Sequence, residues 1–184
     1  MVIIITGAIG VGKTTICEKV VEIIRSSGYS CGGILTHKAA HESLIASDIQ
    51  TGESAILAGT DNKFDGPRTL RYSFNPEAIK FGIRAVNKAI DSDVLIIDEL
   101  GHLELGGEGF APSLELVKTG RVRNSVLVIR KELLPAFLAQ LGDNPAIFEA
   151  TISTRDQLAR KICSSLIGNL RDFSSSCPST RVEG

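Results

Sequence analysis

Lys13 and Thr14 close the run Gly7-Ala-Ile-Gly-Val-Gly-Lys13-Thr14, a full match to G-x-x-x-x-G-K-[ST]. Each residue type has a reason to be there if the ligand is a polyphosphate. Gly7, Gly10 and Gly12 permit backbone conformations closed to residues with a Cβ. The N–H groups of Ala8, Ile9, Gly10, Val11, Gly12, Lys13, Thr14 and Thr15 can then converge on one anion. Lys13 adds a positive charge for the terminal phosphates, and the hydroxyl of Thr14 is a ligand for Mg2+. Two acids, Asp98 and Glu99, end a second apolar run, Val94-Leu-Ile-Ile97. An acid at the end of a buried parallel strand lies where such sheets bind ligands, so Asp98 is the natural second partner for Mg2+. Glu99 can accept a proton from, or orient, a water attacking the γ phosphorus; its competing reading is an acid in a salt bridge. Glu104 is either an acid on the rim of the site or a solvated one. Arg130 ends the apolar run Ser125-Val-Leu-Val-Ile129, from where it is either a charge stabiliser for the γ phosphate or a solvated surface residue.

These residues need a frame that brings them together. Val2-Ile-Ile-Ile5 is a β-branched run of the kind buried on both faces of a sheet. Behind the glycine-rich loop, the segment from Thr14 to Ser27 carries Ile16, Val20, Ile23 and Ile24 on one helical face, and Gly28 stands where a helix ends. The loop therefore sits between a strand and a helix N-terminus, whose free N–H groups and positive dipole end also suit phosphate. Cys31–His37 reads as a second strand. Residues 44–49 and 54–58, around Thr51-Gly-Glu53, read as a hairpin. The turn-rich residues 59–67 read as a mobile loop, and Arg68–Phe74 as a short strand. Asn75-Pro-Glu77 opens a helix faced by Ile79, Ile83, Val86 and Ile90. A glycine-rich loop over 101–109 and a helix over Ala111–Lys118 follow the two acids. After the strand at 125–129 come a helix over Glu132–Leu141, a strand over Ala146–Glu149, and a last helix. That helix is opened by a capping pattern at Ser153-Thr-Arg-Asp156 and buries Leu158, Ile162, Leu166 and Leu170. Strands alternating with helices give an α/β fold with a mostly parallel central sheet and the hairpin as an antiparallel extension. Residues 1–173 form one domain, and 174–184 a frayed tail.

Composition narrows the class. With 43% apolar residues and a net charge of −1 over 184 residues, the chain is a soluble globular domain without the charge excess of a nucleic-acid binder. Its first apolar run lacks a basic flank and stops at the loop, so neither a signal peptide nor a membrane span is expected. Cys17, Cys31, Cys163 and Cys177 form no C-x-x-C pair, and Cys17 and Cys163 fall inside helices as small buried thiols. A reducing cytoplasm fits them. His37 and His41 lack a third ligand for a metal.

Gly7–Thr14, the strand Gly33-Ile-Leu-Thr36, the hairpin Asp48–Gly52 with Leu57-Ala58, Tyr72, and above all Asp98-Glu-Leu-Gly-His-Leu-Glu104-Leu resemble the thermophilic, cancer-related nucleoside-triphosphatase family of P-loop proteins. The resemblance runs from residue 1 to about 170. It implies a RecA-like three-layer fold and Mg2+-dependent hydrolysis of ATP, GTP and other nucleoside triphosphates with loose base preference. It also implies Glu99 as the catalytic acid and Arg155 near the base, where Thr154 replaces the family's asparagine. His102 stands where the family has lysine and is either a substitute donor or a solvated residue. Two other classes fit the same loop. A nucleotide or small-molecule kinase would need an arginine-rich lid, for which Arg121, Arg123, Arg130 and Lys131 are candidates. A binding module would use the nucleotide as a timer, against which Glu99 speaks. Asn62-Lys-Phe-Asp65 and Asp98-Glu-Leu-Gly101 imitate guanine-reading motifs, but in the wrong order and context.

Overall fold

The run of isoleucines at the start is β1 (Val2–Gly7), and its side chains alternate between two cores, Ile4 in one and Ile3 and Ile5 in the other. That alternation is the period of an extended strand covered on both faces. The computed structural model describes residues 1–60, 62–142 and 144–176. After β1 come α1 (Lys13–Ser26), β2 (Cys31–Lys38), β3 (Leu44–Asp48), β4 (Ser54–Gly59), β5 (Ser73–Phe74), α2 (Pro76–Lys88), β6 (Val94–Leu100), α3 (His102–Leu105), α4 (Ala111–Lys118), β7 (Ser125–Arg130), α5 (Leu134–Leu141), β8 (Ala146–Glu149) and α6 (Arg155–Ser176).

Among the described residues the strands make one sheet in the order β5-β4-β3-β2-β6-β7-β1-β8. Strands β2, β6, β7, β1 and β8 are mutually parallel, and β3, β4 and β5 continue the sheet antiparallel. Helices α1 and α6 cover one face through Ile16, Val20, Ile24, Leu158, Ile162, Leu166 and Leu170. Helices α2, α4 and α5 cover the other through Ile79, Val86, Leu114, Val117 and Phe137. The result is the three-layer α/β architecture that the alternation of elements predicts. Because the parallel strands point one way, their carboxyl ends bring Gly7, Thr36, Asp98, Arg130 and Glu149 to one edge.

Several local expectations shift. The segment 68–74 contributes only Ser73–Phe74 as a strand, with Arg68 bridged to Ser73. Thr69 and Tyr72 instead close a turn, Thr69 N–H donating to the Tyr72 carbonyl at 2.9 Å and Tyr72 N–H to the Thr69 hydroxyl at 3.2 Å. The preceding loop is tied to β5, Phe64 N–H donating to Ser73 Oγ at 3.2 Å and Phe74 N–H to the Pro67 carbonyl at 2.9 Å. The glycine-rich stretch after β6 contains a helical turn, α3, rather than loop alone. The last helix is capped from Thr151, two residues before Ser153. Thr151 Oγ1 accepts from Thr154 N–H at 3.2 Å while Thr154 Oγ1 accepts from Thr151 N–H at 3.1 Å, a reciprocal cap built from two threonines. Asp156 is thereby free to pair with Lys19 of α1 at 2.6 Å. Helix α6 runs on through Ser176, past the expected boundary at 173, because a helix can outlast the apolar stripe that packs it. The rest of the expected tail, 177–184, and Cys177 lie outside the described residues. Cys17, Cys31 and Cys163 are buried thiols. No described helix is long and apolar enough to cross a membrane.

One glycine shows how tightly the sheet centre is built. Gly33 of β2 has φ +108°, and a Cβ there would come 2.0 Å from the Ile96 carbonyl oxygen of β6. Both the backbone conformation and a main-chain atom stand in the way, so neither can relax without moving the sheet. Gly33→Ala is expected to cost at least about 2 kcal/mol. Thermal denaturation should show a midpoint lowered by at least about 4 °C; an unchanged midpoint would disprove the close approach.

Candidate active site

The loop between β1 and α1 takes the form its glycines allow. Gly7, Gly10 and Gly12 have φ of +146°, +83° and +94°. At Gly7 a Cβ would come 2.5 Å from the Ala150 carbonyl oxygen, so the loop also passes close beneath the chain leaving β8. Helix α1 begins at Lys13 with no side-chain cap, leaving its first N–H groups to the loop. The Lys13 side chain is 7% exposed, and its ammonium donates to the carbonyls of Gly7 and Ala8, both at 3.0 Å. Arg155, at the start of α6, lies over the loop, its Cδ 3.5 Å from where a Cβ on Gly12 would stand.

Across from the loop, Asp98 has no exposed surface. One carboxylate oxygen, Oδ2, accepts from Thr36 N–H at 3.3 Å, and the other, Oδ1, is buried without a protein partner. The Thr14 hydroxyl lies in hydrogen-bonding reach of both the Asp98 carboxyl and the Thr36 carbonyl, the latter at 3.2 Å. It has one proton and serves one of them at a time. Thr36 also donates through its own hydroxyl to the Asp98 carbonyl. An unsatisfied carboxylate oxygen beside a threonine hydroxyl, both on oxygen-donor groups, is the donor set of a hard divalent cation. Burial pushes the Asp98 carboxyl up to about 7, with the charge of Glu99 adding to the shift. The hydrogen bonds from Thr14 and Thr36 and the charge of Lys13 oppose it.

Glu99 and Arg130 meet at this edge. Arg130 Nε donates to Glu99 Oε1, and both side chains are about one third exposed. Burial works against the charge on Arg130, but the Glu99 carboxylate outweighs it and holds the guanidinium pKa above its usual value. Thus Glu99 has the salt bridge of its competing reading and the site position of its functional one, while Arg130 is not a solvated surface residue.

Glu104 is not the solvated acid of one of its two readings, being 7% exposed. Its carboxylate accepts from Gly101 N–H at 2.7 Å and Phe110 N–H at 2.9 Å, pinning both ends of the segment around α3. Burial raises its pKa, against the pull of those two N–H groups. His102 is exposed at the first position of α3. Arg121 and Arg123 precede β7 and lie at the end of that strand opposite Arg130, so the basic residues do not gather into one lid.

A profile of a family described as NTPase matches residues 2–163. The chain belongs to this NTPase family. It is 30% identical to the nucleoside-triphosphatase THEP1 of Methanocaldococcus jannaschii, over 93% of this chain and 100% of that one. With the THEP1 of Methanopyrus kandleri it shares 26% identity over 87% of this chain and 92% of the other. The crystal structure of THEP1 from Aquifex aeolicus superposes with a TM-score of 0.75 at 24% identity, covering 90% of this chain and 99% of that one. The solution structure of a human cancer-related nucleoside triphosphatase gives 0.70 at 20% identity, covering 90% and 97%. At those identities the two structures speak for the fold, which is the P-loop α/β fold expected.

Two features of this NTPase escaped the sequence reading. Thr36 touches both Thr14 and Asp98; a hydroxyl at the carboxyl end of a strand beside β6 was the signal available. The Glu99–Arg130 pair joins residues on different strands, and its signal was that both end apolar runs at the same edge.

The buried carboxyl gives a pH dependence with a definite sign. In the unfolded chain an aspartate titrates near 3.9. The folded protein holds the Asp98 proton up to about pH 7. The folded state therefore binds more protons across that window, and the contribution of Asp98 to stability falls as pH rises through it. Without metal or nucleotide, denaturant titrations are expected to show stability dropping between about pH 4 and pH 7. Asp98→Asn should flatten that slope, and an identical slope in the variant would remove Asp98 as its source.

Proposed function

We propose that this protein is a Mg2+-dependent nucleoside-triphosphate phosphohydrolase of the cytoplasm, cleaving ATP, GTP and other nucleoside triphosphates to diphosphate and phosphate. The observation that carries the reading is the fully buried Asp98, with a carboxylate oxygen lacking any protein partner, beside Thr14 of the glycine-rich loop. The main-chain amides of residues 8–15 and the Lys13 ammonium bind the phosphates. Thr14 and Asp98 would hold Mg2+, which when bound neutralises charge on the β and γ phosphates. Thr36 keeps the Asp98 carboxyl and the Thr14 hydroxyl in register. Glu99 takes a proton from the attacking water as its oxygen bonds to the γ phosphorus, and the bond to the β–γ bridging oxygen breaks. The names of the THEP1 relatives agree with this activity.

Loose base preference has a structural argument of its own. Beside the loop lies a cavity of about 530 Å3 lined by Val11, Ala150, Ile152, Thr151, Lys131 and Glu149 among others. Its polar side chains are already engaged: Thr151 with Ser153 and Thr154, and Lys131 with Glu149 at 2.6 Å. A base placed there, near Arg155, would meet mainly apolar surface such as Ile152, which is 75% exposed. Apolar contact distinguishes poorly between flat rings that differ in their hydrogen-bonding edges.

The test is Mg2+-dependent phosphate release from a panel of nucleoside triphosphates, with and without a pool of nucleosides and monophosphates as acceptors. Lys13→Ala is expected to lose nucleotide binding. Glu99→Gln is expected to retain nucleotide binding and lose turnover by at least about 100-fold, the usual contribution of a positioned base. A Gln variant that hydrolyses like the wild type would sink the assignment, and phosphate appearing on an acceptor would make the protein a kinase. Across ATP, GTP, CTP and UTP, kcat/KM should vary by no more than about tenfold; a single strongly preferred base would contradict the apolar cavity.

A further inference from the structure

The ion pair between Glu99 and Arg130 sits at an awkward place for a purely structural bond. Glu99 follows Asp98 directly, and Arg130 is the ladder partner of Gly7, the first residue of the phosphate loop. Neighbouring strands lie about 4.8 Å apart, less than the reach of an arginine side chain. The Lys13 ammonium rests on the carbonyls of Gly7 and Ala8, next to that ladder position. The guanidinium is thus within reach of the place where the loop would present the end of a triphosphate, yet it is bonded to the one acid placed to activate water. The pair is about one third exposed on each side and single-stranded in its bonding, through Nε alone. Such a bond is weak enough to exchange. A terminal phosphoryl group carries more charge than a carboxylate and offers three oxygens to the guanidinium fork.

We infer that Arg130 is the residue that recognises the γ phosphate, and that it does so by exchanging the Glu99 carboxylate for the phosphoryl oxygens. Resting on the hydrolase reading above, this adds a device to it. A diphosphate leaves Arg130 on Glu99, and the acid stays engaged. A triphosphate takes Arg130 away and frees the acid beside the group to be attacked. Recognition of the correct substrate and release of the base are one event. No bond is made or broken in the exchange; one ion pair replaces another.

The consequence is a coupling of defined sign, readable without turnover. The experiment measures dissociation constants for ADP and for the non-hydrolysable β,γ-imido analogue of ATP, with Mg2+, in the wild type, Arg130→Gln, Glu99→Gln and the double variant. Arg130→Gln is expected to weaken the triphosphate analogue by at least about tenfold while leaving ADP unchanged, as befits a lost hydrogen bond to a charged group. Glu99→Gln is expected to tighten the analogue by about three- to fivefold, since the competitor for Arg130 is gone. On the Arg130→Gln background that gain should shrink.

If Arg130 stayed on Glu99 and merely masked its charge, removing Glu99 would help the analogue more on the Arg130→Gln background, not less. That opposite sign overturns the exchange, as does an Arg130→Gln variant that binds the analogue like the wild type. Normal ADP binding serves as the check on folding in each variant. Should Arg130→Gln fail that check, Arg130→Lys replaces it, with an expected partial loss of analogue affinity and the same shrinkage; full wild-type affinity there counts against the fork. Hydrolysis surviving in Glu99→Gln would defeat the base assignment and leave this binding cycle standing, so the two readings fail separately.

Discussion

A carboxyl group with no exposed surface and one oxygen without a partner is costly to bury, and the rest of the site is arranged around it. Burying Asp98 this way is unfavourable on its own, as its raised pKa shows. The fold tolerates it because the group lies at the carboxyl edge of the sheet. There Thr36 N–H and the Thr14 hydroxyl reach it from two different elements. Lys13, itself almost buried, lowers the cost further by its charge. On the proposed reading, an acid kept in that condition is poised for a cation, and the neighbouring loop for the anions that a cation accompanies.

That edge exists because of topology. Strands β1, β2, β6 and β7 are parallel and adjacent, so residues far apart in the chain end at one line. The close approach of β2 to β6 depends on Gly33, where a side chain would strike the Ile96 carbonyl. Without that approach Thr36 could not meet Asp98. A sheet-centre glycine and an active-site hydrogen bond are thus two ends of one packing constraint, three residues apart on the same strand. The glycine at position 7 works similarly on the other side, letting the loop pass under the Ala150 carbonyl and close to the chain leading to Arg155.

What could be read in advance follows from the range of each signal. The phosphate loop, the strand ending in Asp98, the two-faced sheet and the helices packed through Ile16, Val20, Leu158 and Ile162 all declare themselves locally, in spacing of glycines or periodicity of apolar residues. The turn α3 did not, because glycines at 101, 106, 107 and 109 argue for loop. What overrides them is Glu104, whose carboxylate gathers two N–H groups from residues on either side. Thr151 and Thr154 cap α6 in a form that a search for serine or threonine followed by an acid misses. The partnerships of Thr36 and Arg130 are non-local. Their residues are plain in the sequence, but who meets whom is decided only when the order of parallel strands is known.

The contrast between Glu99 and Glu104 shows why residue type and neighbourhood alone could not assign roles. Glu99 lies near the end of β6 and Glu104 just beyond it, and both are partly or wholly withdrawn from water. Glu104 has both oxygens on backbone N–H groups that no ligand can displace without unfolding the segment, so it is committed to structure. Glu99 is bonded to a side chain that can rotate, at an edge where an anion is expected. A group can take part in a reaction only if its resting partner can leave. By that criterion the flexible partner of Glu99, rather than the acid's proximity to Asp98, is the stronger reason to place it among the reacting groups.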